Sequence, residues 1–302
     1  MKTATTTSKY IKLMLLALAG SIFVLNSCKK DNEPETPEPE TTAPVRPVTG
    51  QSNAYVTQLF SYNPAPGQFI NTSLGNNDGA KAILNGKQNT VTLGAFGGSI
   101  VLGFDHTVLD QDNKEDIIIY GNAAASSAEP GVIWVMEDKN GNGQPDDNWY
   151  ELAGSAQTLP GYSRAYSITY TRPNPATADV PWTDNKGGSG VVKTNIYHTQ
   201  AYYPEWITAN TYTVTGTLLP SSNINTTNPT FITSTPFAFG YADNTPNGDK
   251  LDIANAIDDK GNKVKLKGID FIKIQTGIQA NLGWLGELST EVRGVADISL
   301  EK

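Results

Sequence analysis

Past residue 50, no stretch of this 302-residue chain runs far without a helix breaker. Short runs rich in Val, Ile, Thr, Tyr and Phe alternate with clusters of Gly, Pro, Asn and Asp. The first group fits a pleated, half-buried surface, and the second supplies turns. Runs at 54–60, 90–95, 99–105, 116–120, 131–137, 166–171, 211–217, 230–233 and 269–276 read as strands. Ile100, Leu102 and Phe104 share one face, as Ile269, Phe271 and Ile274 do only if a bulge intervenes. Helical periodicity is confined to 79–84 and 251–257, both short. No repeat of about 20 to 50 residues is present, which argues against a propeller or solenoid. The expected fold is all-β: a β-sandwich, jelly-roll-like, with long Gly/Asn/Asp-rich loops.

The amino terminus carries a different pattern. Lys2, Lys9 and Lys12 precede an apolar run, LMLLALAGSIFVL, which ends in Leu25-Asn26-Ser27-Cys28. That order reads as a secretory signal with a lipobox, so residues 1–28 are expected to direct export and the mature chain to start at an acylated Cys28. An apolar run of about 13 residues is short of the roughly 20 that cross a bilayer as helix. Cys28 is the only cysteine, so no disulfide is expected to hold the domain. Residues 29–50 are rich in Pro, Glu and Thr and read as a disordered tether, extended by about 3 Å per residue. Residues 51–302 are then expected to form a single ligand-binding β-sandwich domain. The net charge of −8 becomes about −11 without the three signal-peptide lysines. Such acidity argues against nucleic acid and against docking on anionic lipid, leaving the acyl chain as the membrane tie. It suits a neutral or cationic ligand, or a metal ion.

One segment has the spacing of a calcium loop. Asp138, Asn140 and Asn142, followed by Gly143, follow the D-x-N-x-N-G pattern, in which alternate side-chain oxygens curl toward one centre. Gln144 would add its carbonyl, with Asp146, Asp147 or Glu151 completing the shell. The twelfth position holds Trp149 instead of the Glu of an EF-hand, which favours a structural Ca2+ loop between two strands. The alternative is an Asn/Gly/Asp turn that binds nothing. Two further acidic runs, from Asp110 to Asp116 and from Asp243 to Asp249, could also take an ion, and equally have the composition of hairpin turns that bind nothing.

Aromatic residues concentrate between Pro181 and Trp206. Trp182, Tyr197, His198, Tyr202, Tyr203 and Trp206 are interleaved with Asp184, Asn185 and Gln200. Rings supply contact area and amides supply orientation, the combination that a solvent-facing site uses against a sugar or a flat macrocycle. Tyr and Trp also fill sandwich cores, so part of this block is expected simply to pack. His198 is a candidate ligand, whereas His106, beside Asp105, reads as structural. Two histidines speak against a zinc enzyme. There is no G-x-S-x-G elbow, H-E-x-x-H helix, P-loop or thiol nucleophile, so no catalytic residue is assigned. Glu151, Asp252, Glu287 and Glu291 are the carboxylates from which a glycosidase pair would be drawn.

Several blocks together carry a resemblance: YVTQLFSYNPAPGQF (55–69), GGSIVLGFDHTV (97–108), EPGVIWVMEDKNGNGQPDDNWYELAGS (129–155), WTDNKGGSG with HTQAYYPEW, and GIDFIKIQTG with GWLGELSTEV between 268 and 292. Over most of residues 51–300 the chain resembles a family of Bacteroidetes surface lipoproteins, often labelled PKD-domain or cell-surface proteins. Asp31 and Glu33 resemble the export signal of such lipoproteins, although Lys29 and Lys30 intervene. The resemblance implies a place beside TonB-dependent outer-membrane transporters, notably in corrinoid (vitamin B12) uptake, and it brings no catalytic residues. The expectation is thus an outer-membrane, lipid-anchored, surface-exposed protein that binds an extracellular nutrient such as a corrinoid and assists a transporter. The alternatives are a glycan-binding module or glycoside hydrolase, and an adhesive surface protein with no small-molecule ligand.

Overall fold

The spine of the fold is the eleven-residue strand Ser99–Leu109, of which Ile100, Leu102, Phe104 and Val108 are essentially inaccessible. Its even-numbered side chains, from Ile100 to Val108, are sealed in the core, while on the other face Asp105 and Leu109 remain exposed. It pairs antiparallel with Gln58–Asn63 on one edge and Gly268–Thr276 on the other. Gly103 is needed there, because a Cβ would lie 2.7 Å from the ring of Phe60, which packs edge-on against Phe271 at 5.2 Å. The sheet continues through Gly131–Met136, Tyr150–Leu152 and Ala256–Ile257, giving six antiparallel strands. The register against Ser99–Leu109 shifts between Ile269 and Phe271, so the chain carries the irregularity that its apolar spacing requires.

The computed structural model describes residues 43–301, all within a unit spanning Thr41–Lys302. The signal peptide, Cys28 and the tether as far as residue 42 lie outside the described residues. Besides the main sheet, Thr211–Leu218, Ser163–Thr171, Val180–Asp184 and Ser189–Val192 form a four-stranded sheet, and Asp249–Leu251, Ile117–Tyr120 and Gly294–Asp297 form a three-stranded one. Two small ladders complete an all-β, sandwich-like fold. Among the described residues, helix is limited to Asn77–Ala82, capped by the Asn76 side chain on the Gly79 N–H at 2.8 Å, and to two short 3₁₀ turns. The main core gathers Ile100, Phe104, Ile119, Ile133 and Ile272, while Phe96, Tyr166, Tyr170, Tyr202 and Tyr203 form a second cluster under the four-stranded sheet.

The packed domain begins earlier than residue 51. Arg46 pairs with buried Asp270 at 2.9 Å, and its backbone exchanges hydrogen bonds with Thr107 at 2.9 Å each way. Asp270 also accepts the Asp138 N–H at 2.8 Å, so the end of the expected tether docks beside the Asp138 loop. On the other side of the main sheet, His106 is fully buried between Asp105 (2.7 Å) and Asp297 (3.0 Å). Burial pulls its pKa down, but the two carboxylates outweigh this and raise it, while His106 holds Asp297 below its usual value.

Candidate functional site

A cavity of about 350 Å³ opens where loops from several strands meet. Its walls include Phe69, Tyr197, His198 and Trp284, and its floor carries Glu129 and Glu291. Trp284 is 51% exposed and Tyr197 68%, so both side chains are largely open to solvent instead of packed in the core. Phe69 and His198 meet edge to face at 4.6 Å. The indole N–H of Trp284 donates to the Thr230 carbonyl at 3.0 Å, which fixes the ring at the mouth.

Both aromatic walls depend on Gln68. Its Nε2 donates to the Leu285 carbonyl at 2.6 Å, within the turn that carries Trp284. Its Oε1 accepts from Asn195 Nδ2 at 2.8 Å. Asn195 Oδ1 in turn caps the Tyr197 and His198 N–H groups, each at 2.9 Å. Gln68's own N–H donates to Glu287 Oε1 at 2.8 Å.

The floor is unusually acidic. Oxygens of Glu129, Asp243 and Glu291 lie within 4.8 Å of one another. Burial, reinforced by Asp243, raises Glu129 to about 8. Burial also lifts Asp243 and Glu291 well above the carboxylate range, each further raised by its charged neighbour. Glu287, close behind, is raised to about 8 by burial first. Glu287 also lines a second cavity of about 260 Å³, together with Trp182 and Gln279. Trp182 Nε1, Gln279 Oε1 and Glu287 Oε2 all lack hydrogen-bond partners among the described residues.

The residues of the aromatic block are distributed, not gathered. Tyr197 and His198 line the main cavity, and Trp182 lines the second. Tyr202 and Tyr203 are 0% and 1% exposed and belong to the core instead of a solvent-facing site, as their large apolar rings favour under a sheet. Trp206 tilts over Tyr62 at 6.3 Å. Gln200 binds the Gln68 carbonyl from behind the wall. Asp184 accepts the Tyr166 hydroxyl at 2.8 Å and the Lys186 and Gly188 N–H groups, closing a hairpin turn. Asn185 ties that turn to Ala165 and Ser167.

The Asp138 loop lies between strands Gly131–Met136 and Tyr150–Leu152, which pair with each other. Asp138 accepts the Asn142 and Gly143 N–H groups at 3.1 and 2.8 Å, and Asn142 Oδ1 accepts the Gln144 N–H at 2.7 Å. The amides of Asn140 and Asn142 both donate to Asp146, and these bonds hold its carboxyl below the usual range. The Gln144 carbonyl accepts from the Asp146 N–H, and Asp147 accepts from the Lys139 N–H. Glu151 lies outside the loop, buried against Tyr162 and Thr217 at 2.7 and 2.5 Å. The side-chain oxygens of Asp138, Asn142, Asp146 and Asp147 are thus engaged by N–H groups of the loop itself, which closes it as a turn between the two strands.

Sequence reasoning passed over Trp284, Phe69, Gln68 and Glu129. The available signal was a Trp set between Gly283 and Gly286, both with positive φ, where a large ring in a glycine turn has little core to enter. No protein-family model matches the chain, and no curated protein matches it.

Proposed function

We propose that the protein captures a small polar nutrient, of the size of one sugar ring, in the cavity between Trp284 and Tyr197. The observation that carries this reading is the pair of exposed rings over a floor of hydrogen-bonding groups. Aromatic faces cover the apolar faces of a sugar, and Ser289, Thr92 and Asn122 supply polar groups beside them. A cavity of about 350 Å³ is near the lower end of ligand sites. It suits a sugar-sized group better than a corrinoid, which would lie across the mouth. Acylation at Cys28, exposure on the outer membrane and delivery to a TonB-dependent transporter complete the proposal. A structural Ca2+ in the Asp138 loop is part of it.

Isothermal titration with a monosaccharide and oligosaccharide panel, and with cobalamin, tests the reading. Saturable sugar binding that Trp284→Ala weakens about fivefold is expected, since one aromatic contact is worth about 1 kcal/mol. Binding of cobalamin alone would replace the sugar with a macrocycle, and silence from both would overturn the proposal.

A further inference from the structure

We propose that Glu129, Asp243 and Glu291 bind a hard divalent cation of the calcium class at the floor of the cavity. Their oxygens already lie within 4.8 Å of one another, a span that one ion of 2.3–2.6 Å bond length can bridge. They come from three separate segments that the backbone locks together. The Glu129 N–H donates to the Asp243 carbonyl at 2.9 Å, and the Glu291 N–H donates to Asp243 Oδ2 at 2.9 Å. Asp243 Oδ1 accepts the Asn122 and Ala123 N–H groups at 2.8 and 2.9 Å. Gly121 makes this possible, because a Cβ there would lie 2.2 Å from Asp243 Oδ1.

A second observation points to an occupant. Glu291 is 6% exposed and lines the cavity; Glu129, Thr92 and Ser289 approach its side chain, but its Oε2 makes no well-directed hydrogen bond among the described residues. An ionised carboxylate held that way is costly unless a cation or a proton meets it. None of the ion pairs among the described residues reaches Glu129, Asp243, Glu287 or Glu291, and no lysine or arginine lines the cavity. Three carboxylates select a hard ion, and the open cavity leaves positions for water or a ligand oxygen. The hydroxyls of Thr92 and Ser289, 2.6 Å apart, flank the same floor. This site is separate from the Asp138 loop, and the proposal stands whether or not the cavity accepts a sugar.

The test is titration of the chelator-stripped, detergent-solubilised full chain with CaCl2 or MgCl2 alone, by calorimetry and by thermal melting. Wild type and Asp138→Asn are expected to share a saturable binding event that raises Tm. Glu291→Gln is expected to lose that event or weaken it at least tenfold, while melting no lower than wild type in the absence of metal. Glu129→Gln provides a second variant if Glu291→Gln does not fold. The proposal is overturned if wild type shows no saturable event with either ion. It is also overturned if both Gln variants bind as wild type does, or if Asp138→Asn alone abolishes all binding.

Discussion

Glu287 offers a direct measure of how strongly this fold confines acid. It is 2% exposed, one oxygen accepts the Gln68 N–H at 2.8 Å, and the other has no partner among the described residues. Burial raises its pKa from 4.5 to about 8. The folded state therefore keeps a proton that the unfolded state releases, so stability falls as pH rises. The contribution is fully present below 4.5 and is lost progressively as pH climbs through about 8. Each pH unit across that window removes about 1.4 kcal/mol, or about 5 kcal/mol in all, an appreciable share of a domain's stability. Glu287→Gln keeps the shape and the acceptor for Gln68 but cannot ionise. Urea unfolding of both proteins at a series of pH values, followed by circular dichroism, should give a wild-type curve that falls more steeply by this amount. Parallel curves for the two proteins would refute the reasoning, because they would mean that Glu287 titrates alike in both states.

The His106 clamp has its own pH signature. Its pKa is raised above 6.5, so the stabilisation is present below 6.5 and is lost as pH rises through the folded value. His106→Gln should cost about 3 kcal/mol at low pH and progressively less above that value, as read from unfolding midpoints. Tyr203→Ala should destabilise by about 4 kcal/mol, because its buried ring packs on Tyr212 at 5.3 Å, and thermal melts report this directly. Tyr197→Ala, with a 68% exposed ring, should leave stability within about 0.5 kcal/mol and act only on ligand titrations. Cys28→Ser should move the protein from the membrane fraction to the soluble one on fractionation.

The strands were legible where side chains alternate or run apolar for several residues. Ile117–Tyr120, Gly131–Met136 and Gly268–Thr276 lie almost where the pattern puts them. Ser99–Leu109 runs four residues past its expected end, since His106 and Thr107 look polar but are satisfied by Asp105, Asp297 and Asp270 inside the fold. The hairpin of Val180–Asp184 and Ser189–Val192 was hidden by Pro181 and the glycines, which read as loop. Of the cavity, Tyr197, His198 and Glu291 were visible as residue types, but their meeting was not. Glu129 and Asp243 are 114 positions apart and face each other only through backbone hydrogen bonds around Gly131 and Ala242. Local spacing carries no record of such a pairing. The expected Gly79–Leu84 helix formed as Asn77–Ala82, while residues 251–257 gave only a 3₁₀ turn between two short strands.

The amide of Gln68 reaches both the turn bearing Trp284 and, through Asn195, the segment bearing Tyr197 and His198. The two jaws of the opening thus hang from one hinge pin, and displacement of either is felt by the other. Widening the mouth for a bulkier guest would call for paired changes on opposite sides. A single substitution at the rim should retune grip while leaving aperture as it was.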